Sequence, residues 1–342
     1  MIFRHLRILA AFIIASASLA APTMASAQDM SFEAYLELVA AKARAEGVSE
    51  PTIRSMLGGL TPNARVLALD TDNVTSPSRS GYPALAPYIR RHNSAARISA
   101  GRREYGRLGP LASRVESAYG VPANVLLAIW GHETSYGAVK GSFDLAQALA
   151  TLAWEGRRRT LFEGELIALL KIADRGYPRS QLVGSWAGAF GNPQFLPSVY
   201  LRLATDGDGD GRADIFSNRA DTLFSIAKYF NDAGWRPGLP WGVRAYVPSG
   251  LDRSRFERET TSPVCPRVHE RHGKWMTVAE WRAEGVTPQS YLPDNAMVAL
   301  FEPDGPGTSA YLLTQNYRVI LEYNCSNYYA MSVGLLADEI IR

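Results

Sequence analysis

The chain has 342 residues, of which 46% are hydrophobic and 20% charged, the proportions of an ordered globular protein and not of a disordered one. Its net charge of +3 falls to +1 once a leader holding two arginines and no acid is set aside, so the body of the chain carries no electrostatic footprint for nucleic acid. The 315 residues beyond that leader can bury one large core or two smaller ones.

The leader comes first in chain order. Arg4 and Arg7 precede an apolar run from Ile8 to about Leu19, and Ala25-Ser26-Ala27 offers a small-residue cleavage site. The run is shorter than the roughly 20 residues a membrane span needs, so residues 1–27 read as a secretory signal peptide. An uncleaved anchor is the alternative. No cysteine stands near the cleavage site for lipid attachment, so the expectation is an exported, periplasmic and soluble protein beginning near Gln28.

From Ser31 to about Leu60 the spacing of Phe32, Tyr35, Leu36, Leu38 and Val39 predicts helix. Residues 61–83 are rich in Pro, Ser, Thr and Asp and read as an extended connection. A second helical region runs from about Pro87 to Tyr119. Gly120-Val121-Pro122 then breaks and restarts the chain, with Pro122 suited to a first helical turn, and the helix from Ala123 to about Thr134 is apolar enough to be buried. Helical patterns also fit 144–153, 159–174 and 219–233. Between about 236 and 318 the β-prone runs Val243–Val247, Met297–Phe301 and Ala310–Leu313 lie among Pro and Gly, and Tyr329 to Ile341 reads as a closing helix. The fold class is therefore mainly α (α+β), with a small β or loop-rich C-terminal part. In an oxidising compartment Cys265 and Cys325 either pair, closing a loop of about 60 residues, or stay as two thiols.

Glu133 is the candidate acid. Trp130, Ile129 and Leu126 lie three, four and seven residues before it, so its carboxyl shares a helix face with three large apolar side chains. Poor solvation of that kind raises a carboxyl pKa toward what a general acid requires. The bland alternative is a glutamate near a helix end that turns to solvent. His132 points about 100° away around the helix and receives no catalytic part. A second carboxylate of the usual glycosidase pair has candidates in Asp144, Glu155, Glu163 and Glu165, none in a motif that places it opposite Glu133. Asp144, Glu163 and Glu165 read more simply as polar-face residues of amphipathic helices.

A separate motif spans Asp206-Gly207-Asp208-Gly209-Asp210-Gly211-Arg212-Ala213-Asp214. It puts side-chain oxygens at positions 1, 3, 5 and 9 of an EF-hand-like loop, a glycine at 6 and the Arg212 carbonyl at 7, hard donors suited to a structural Ca2+. Position 12 holds Ser217 where a glutamate is usual. A solvated Asp-Gly turn is the alternative. No catalytic cofactor is expected, and neither a nucleophile elbow nor a zinc motif points to a peptidase.

Several ordered blocks carry a family resemblance: Ile129 through Gly137, Ala148 through Ala153, Arg157-Arg158, Gly184 through Ser198, the Asp-Gly loop, Asn316-Tyr317 and Tyr323-Asn324. Together they resemble the lytic murein transglycosylase B family over most of residues 31–342. The resemblance implies a lysozyme-like core at about 105–235, with the EF-hand-like loop at 206–221 and an added helical region. It implies cleavage of the β-1,4 MurNAc–GlcNAc bond of peptidoglycan glycan strands, leaving 1,6-anhydro-MurNAc ends. By motif position the catalytic glutamate falls on Glu133. The glycan-binding residues fall on Ser185, Gln194, Tyr323 and Asn324, and by looser spacing on Tyr88 and Tyr329. Asp221 would supply the closing calcium ligand, and other cell-wall enzymes are candidate partners. Asn192-Pro193 departs from the family's usual pattern just before Gln194. A single glutamate suffices for such a reaction if it acts first as acid and then as base. The alternatives are a hydrolytic muramidase and a non-catalytic peptidoglycan-binding protein.

Overall fold

A computed structural model describes residues 30–75, 84–257, 264–269 and 271–342. The signal-peptide reading falls outside these described residues. Helices α1 (Phe32–Ala45), α2 (Glu50–Leu57) and α3 (Ala64–Thr75) come first, then α4 (Leu85–His92), α5 (Ala95–Gly106) and α6 (Pro110–Tyr119). The middle of the chain holds α7 (Ala123–Thr134), strand β1 (Phe143–Asp144), α8 (Leu145–Glu155), α9 (Arg159–Asp174), strand β2 (Val183–Gly184), α10 (Pro197–Leu203) and α11 (Arg219–Asp232). Strands β3 (Gly242–Tyr246), β4 (Trp275–Thr277), β5 (Thr287–Pro288), β6 (Met297–Phe301) and β7 (Ala310–Leu313) follow, with short helices α12 (Pro266–His269) and α13 (Val278–Ala283) between them. Helices α14 (Gln315–Tyr323) and α15 (Asn327–Ile340) close the molecule.

Three apolar clusters organise these elements. The first joins α1–α3 to α8–α10 through side chains such as Tyr35, Val39, Leu149 and Leu169. The second packs α7 against α11, α14 and α15 through Leu126, Ile129, Ile226, Ile320 and Val333. The third lies under an antiparallel sheet of order β4-β6-β7-β3-β5, with Trp281 of α13 wholly buried beneath it. In the register, Val243 and Leu300 both oppose Leu312, stacking aliphatic side chains across the middle strands.

The long helical expectations resolve into shorter pieces: residues 31–60 form α1 and α2, and 87–119 lie within α4, α5 and α6. The extended connection expected at 61–83 is overturned over Ala64–Thr75, which form α3, while residues 76–83 lie outside the described residues. Asn63 accepts from the backbone N–H groups of Arg65 (3.0 Å) and Val66 (3.1 Å), a cap that starts a helix. One turn on, Val66 and Asp70 are both buried, and the Asp70 carboxylate pairs with Arg157 and Arg158. Long-range ion pairing thus overrides the local turn composition. Pro122 stands at the cap rather than in the first turn, and the orphan N–H of Ala123 is satisfied by the Glu116 carboxylate at 2.8 Å.

Candidate active site

Helix α7 carries Glu133 at its C-terminal end. Leu126, Ile129 and Trp130 are all buried, as the spacing requires. Beyond it the chain turns sharply: Ser135, Tyr136 and Gly137 have φ of 51°, 60° and 89°. Two consecutive non-glycine residues in the left-handed region store strain, a device common where a side chain must be aimed. The turn folds the Tyr136 ring back over the helix, and a Cβ on Gly131 would lie 2.6 Å from that ring. Gly131 thus makes room for the Tyr136 ring, while a Cβ on Gly137 would lie 2.9 Å from Asn192 Oδ1.

Glu133 keeps partial contact with solvent while its carboxyl sits deep among protein groups. Burial pushes its pKa up to about 7, and a hydrogen bond from the Tyr329 hydroxyl to Oε1 at 2.6 Å opposes that rise. The carboxyl is thus poised to give up and regain a proton near neutrality. Tyr88 and Tyr323 also lie within electrostatic reach of it. His132 packs beside the same cluster, its ring 5.7 Å from that of Tyr329 and edge-on to it. Its Nε2 meets the Ser332 hydroxyl at 2.9 Å, and burial, with Arg97 adding to it, pulls its pKa down to about 3, so it stays neutral.

The remaining expected residues occupy two neighbouring pieces. Strands β1 and β2 pair, and bridges from Gly184 to Phe190 and from Phe190 to Phe195 fold residues 184–195 into a small hairpin-like loop. Ser185 sits at its base, where its hydroxyl accepts from the Ala189 N–H at 2.9 Å. Gln194 sits at its far end with φ 51°, its amide donating to the Gly191 carbonyl at 2.9 Å. The loop docks on the end of α7 through Thr134 Oγ1, which donates to the Asn192 carbonyl at 3.1 Å. The hydroxyl of Tyr323 then donates to the Pro193 carbonyl at 2.7 Å, tying α14 to the same loop. Asn324 ends α14 as an exposed residue. Tyr88 stacks on His92 at 4.0 Å within α4.

Geometry therefore gathers Tyr88, Tyr323 and Tyr329 around Glu133, and sets Ser185 and Gln194 on a loop braced by Thr134 and Tyr323. The four candidate second carboxylates are all engaged elsewhere. Asp144 caps α8 and pairs with Arg179 at 2.7 Å, Glu155 accepts from the Arg157 N–H, and Glu163 pairs with Lys42. Glu165 corrects the polar-face reading: it is buried, and takes both the N–H (2.8 Å) and the hydroxyl (2.6 Å) of Ser198 at the start of α10. Arg97 is a site neighbour that the sequence did not flag. It reaches Ser135 Oγ at 3.4 Å, and its carbonyl accepts from the Tyr136 hydroxyl at 3.1 Å. No local spacing could have announced a residue 36 positions before Glu133. Volume would mislead here too, since hollows of about 420 and 840 Å3 are lined by the sheet region and the far end of α15, without Glu133.

In the Asp-Gly loop, carboxylate oxygens of Asp206, Asp208 and Asp210 lie within 4.8 Å of one another. Asp206 accepts from the N–H groups of Gly209 (2.6 Å) and Gly211 (2.8 Å), which hold the loop curled and keep its pKa below the usual carboxylate range. Asp221 is buried beneath the loop and clamps it, accepting from Gly207 N–H at 2.7 Å and Asp214 N–H at 2.6 Å. Asp214 accepts from the Phe216 N–H at 2.8 Å. The structure thus brings three of the acidic candidates together and gives Asp214 and Asp221 roles in shaping the loop; the Arg212 guanidinium lies over the Tyr177 ring.

The family model for the transglycosylase SLT domain matches residues 31–338. This chain belongs to that family. Over 231 residues this SLT family member is 32% identical to the membrane-bound lytic murein transglycosylase B of Escherichia coli (strain K12), which covers 67% of the chain but 59% of that protein, so it spans less than two thirds of that relative. SltB3 of Pseudomonas aeruginosa, solved with NAG-anhNAM-pentapeptide, superposes with a TM-score of 0.80 at 33% identity, covering 91% of this chain and 80% of SltB3. The Escherichia coli lytic transglycosylase Slt35, solved with calcium, gives a TM-score of 0.73 at 27% identity, covering 90% of this chain and 92% of Slt35. The lysozyme-like, mainly helical architecture is the one that the sequence resemblance implied, and the small sheet is the part that the β-prone runs indicated.

Proposed function

We propose that this SLT family member is a peptidoglycan lytic transglycosylase in which Glu133 acts first as acid and then as base. The observation that carries this reading is the buried carboxyl of Glu133, its pKa pushed up to about 7, with Tyr329 hydrogen-bonded to it and Asp144, Glu155, Glu163 and Glu165 engaged elsewhere. Protonated Glu133 gives its proton to the glycosidic oxygen as the bond from MurNAc C1 to that oxygen breaks. The substrate's 2-acetamido carbonyl steadies the cationic C1. The new carboxylate, now accepting from Tyr329, removes the proton from the C6 hydroxyl, whose oxygen closes on C1. Water is not consumed and Glu133 ends protonated. The anhNAM unit held by SltB3 supports ring closure as the outcome here.

Ser185, Gln194 and Asn324 are suited to hold acetamido and hydroxyl groups of the strand, and Tyr88, Tyr323 and Tyr329 to line it. The catalytic platform on this reading is the lysozyme-like core at about 105–235, completed by α14 and α15. The clustered oxygens of Asp206, Asp208 and Asp210 fit a hard divalent cation, and the calcium bound by Slt35 supports Ca2+ as that ion. Its part would be structural, offsetting three mutually repelling charges. A cell-wall substrate fits the leader at residues 1–27 and a periplasmic address, and among the described residues no helix is long and apolar enough to cross a membrane. The test is mass spectrometry of digested peptidoglycan. The native protein should release fragments ending in 1,6-anhydro-MurNAc, and Glu133→Gln should release almost none. Reducing MurNAc ends would make the protein a hydrolase, and full activity of Glu133→Gln would remove Glu133 from the chemistry.

A further inference from the structure

Tyr329 reaches Glu133 from a segment that the fold fastens at two points. Cys325, four residues before Tyr329, is joined to Cys265 across 60 positions, with their Cα atoms 5.2 Å apart. Asn327, two residues before Tyr329, is buried and fully used. Its amide donates to the Val268 carbonyl at 2.7 Å, and its Oδ1 meets His272 Nε2 at 2.7 Å and accepts from the Tyr317 hydroxyl at 3.1 Å. Both fastenings lead to one short stretch around α12. Between them Ser326 caps α15, accepting from the Tyr329 N–H at 3.3 Å. The same segment starts at Tyr323, which braces the loop bearing Gln194.

We infer that the Cys265–Cys325 disulfide and Asn327 form a positioning clamp that sets the first turn of α15 so that the Tyr329 hydroxyl meets Glu133. This rests on the reading of Glu133 as the acid and base. Neither cysteine touches the reacting atoms; both act through Tyr329. A staple that served stability alone would lower the melting temperature and leave the chemistry of the folded enzyme unchanged. The clamp also alters Glu133, because a carboxyl that loses a hydrogen bond to its charged form titrates higher.

The experiment compares full-length native protein with Cys265→Ser/Cys325→Ser and with Asn327→Ala on soluble peptidoglycan fragments, at a temperature where each is folded by circular dichroism. Misplacement of the hydroxyl should lower kcat by about ten- to a hundredfold. KM should change less than kcat, since Ser185, Gln194 and Tyr88 stand on elements outside the clamped segment. The alkaline limb of the kcat profile should move to higher pH. In a Tyr329→Phe background the cysteine changes should cost nothing further, since both act on one contact. Unchanged kcat and pH limb with a lower melting temperature would overturn the clamp, as would losses that add. Should the cysteine variant not fold, dithiothreitol can be used on the folded native enzyme, in which Cys325 is exposed. The bridge takes two electrons and two protons from the dithiol, which closes to its own cyclic disulfide; kcat should fall and return on reoxidation. If the native protein cuts nothing, the Glu133 reading fails instead. Carbon-13 NMR titration of the Glu133 carboxyl, oxidised against reduced, then decides the clamp: an upward shift supports it and no shift overturns it.

Discussion

Glu133 is a carboxyl whose surroundings set opposite demands on chemistry and on stability. Its folded pKa of about 7 lies above the ordinary value of 4.5, because burial penalises the charged form. In the proposed role of acid it must begin protonated, so the rate should be full below about pH 6 and fall as one proton is lost through about pH 7. The stability effect has the reverse dependence. Below about pH 4.5 the carboxyl is neutral in both folded and unfolded chains and costs nothing. The cost grows as pH rises from 4.5 toward 7 and is complete above it. Glu133→Gln, which keeps an acceptor for Tyr329 and cannot ionise, should therefore be more stable than the native protein by on the order of 3 kcal/mol at pH 8. At pH 4 the two should unfold alike. Urea unfolding at both pH values checks this, and equal stability at pH 8 would mean a carboxyl open to water. The variant should also lose about 10²- to 10⁴-fold in rate, the usual worth of a positioned acid–base group.

At the scale of single elements, local pattern was most legible where it was strongest. The apolar run of α7, the 16-residue α9, and strands β6 and β7 stand where periodicity put them. Glu133, Tyr323 and Tyr329 were named from sequence, but Tyr329 only as a sugar-lining residue, since no pattern shows a hydroxyl meeting a carboxyl 196 residues away. The misses share one cause: partners distant in sequence. Asp70 is held by Arg157 and Arg158, so its stretch read as an extended connection, and Glu165 is held by Ser198, so it read as a polar-face acid. Glu165→Ala would leave the Ser198 N–H unpaired at the start of α10, and should cost about 1–3 kcal/mol in denaturant unfolding. A change below about 0.5 kcal/mol would mean water replaces the carboxylate. The Asp-Gly loop behaves as an element of its own. If Ca2+ sits among Asp206, Asp208 and Asp210, calcium at 100 times its Kd should stabilise chelated protein by about 2.7 kcal/mol, read as a higher Tm. Asp208→Asn/Asp210→Asn should abolish the response, and no rise in the native protein would leave the loop a solvated turn.

Across the whole molecule, the site is assembled from three stretches that meet only in the final fold: the end of α7, the loop at 184–195, and the junction of α14 and α15. The disulfide closes one of the long loops between them, and removing it should cost on the order of 4 kcal/mol by chain entropy, over and above any effect on kcat. The 196-residue separation of Glu133 from Tyr329 has a further consequence, which concerns timing. Residues so distant in sequence meet only after the loop entropy between them has been overcome. In the unfolded chain Glu133 is an ordinary solvated carboxylate, ionised at neutral pH and unable to donate a proton. On the proposed reading, competence to cut glycan is therefore acquired only once α15 has brought Tyr329 to Glu133.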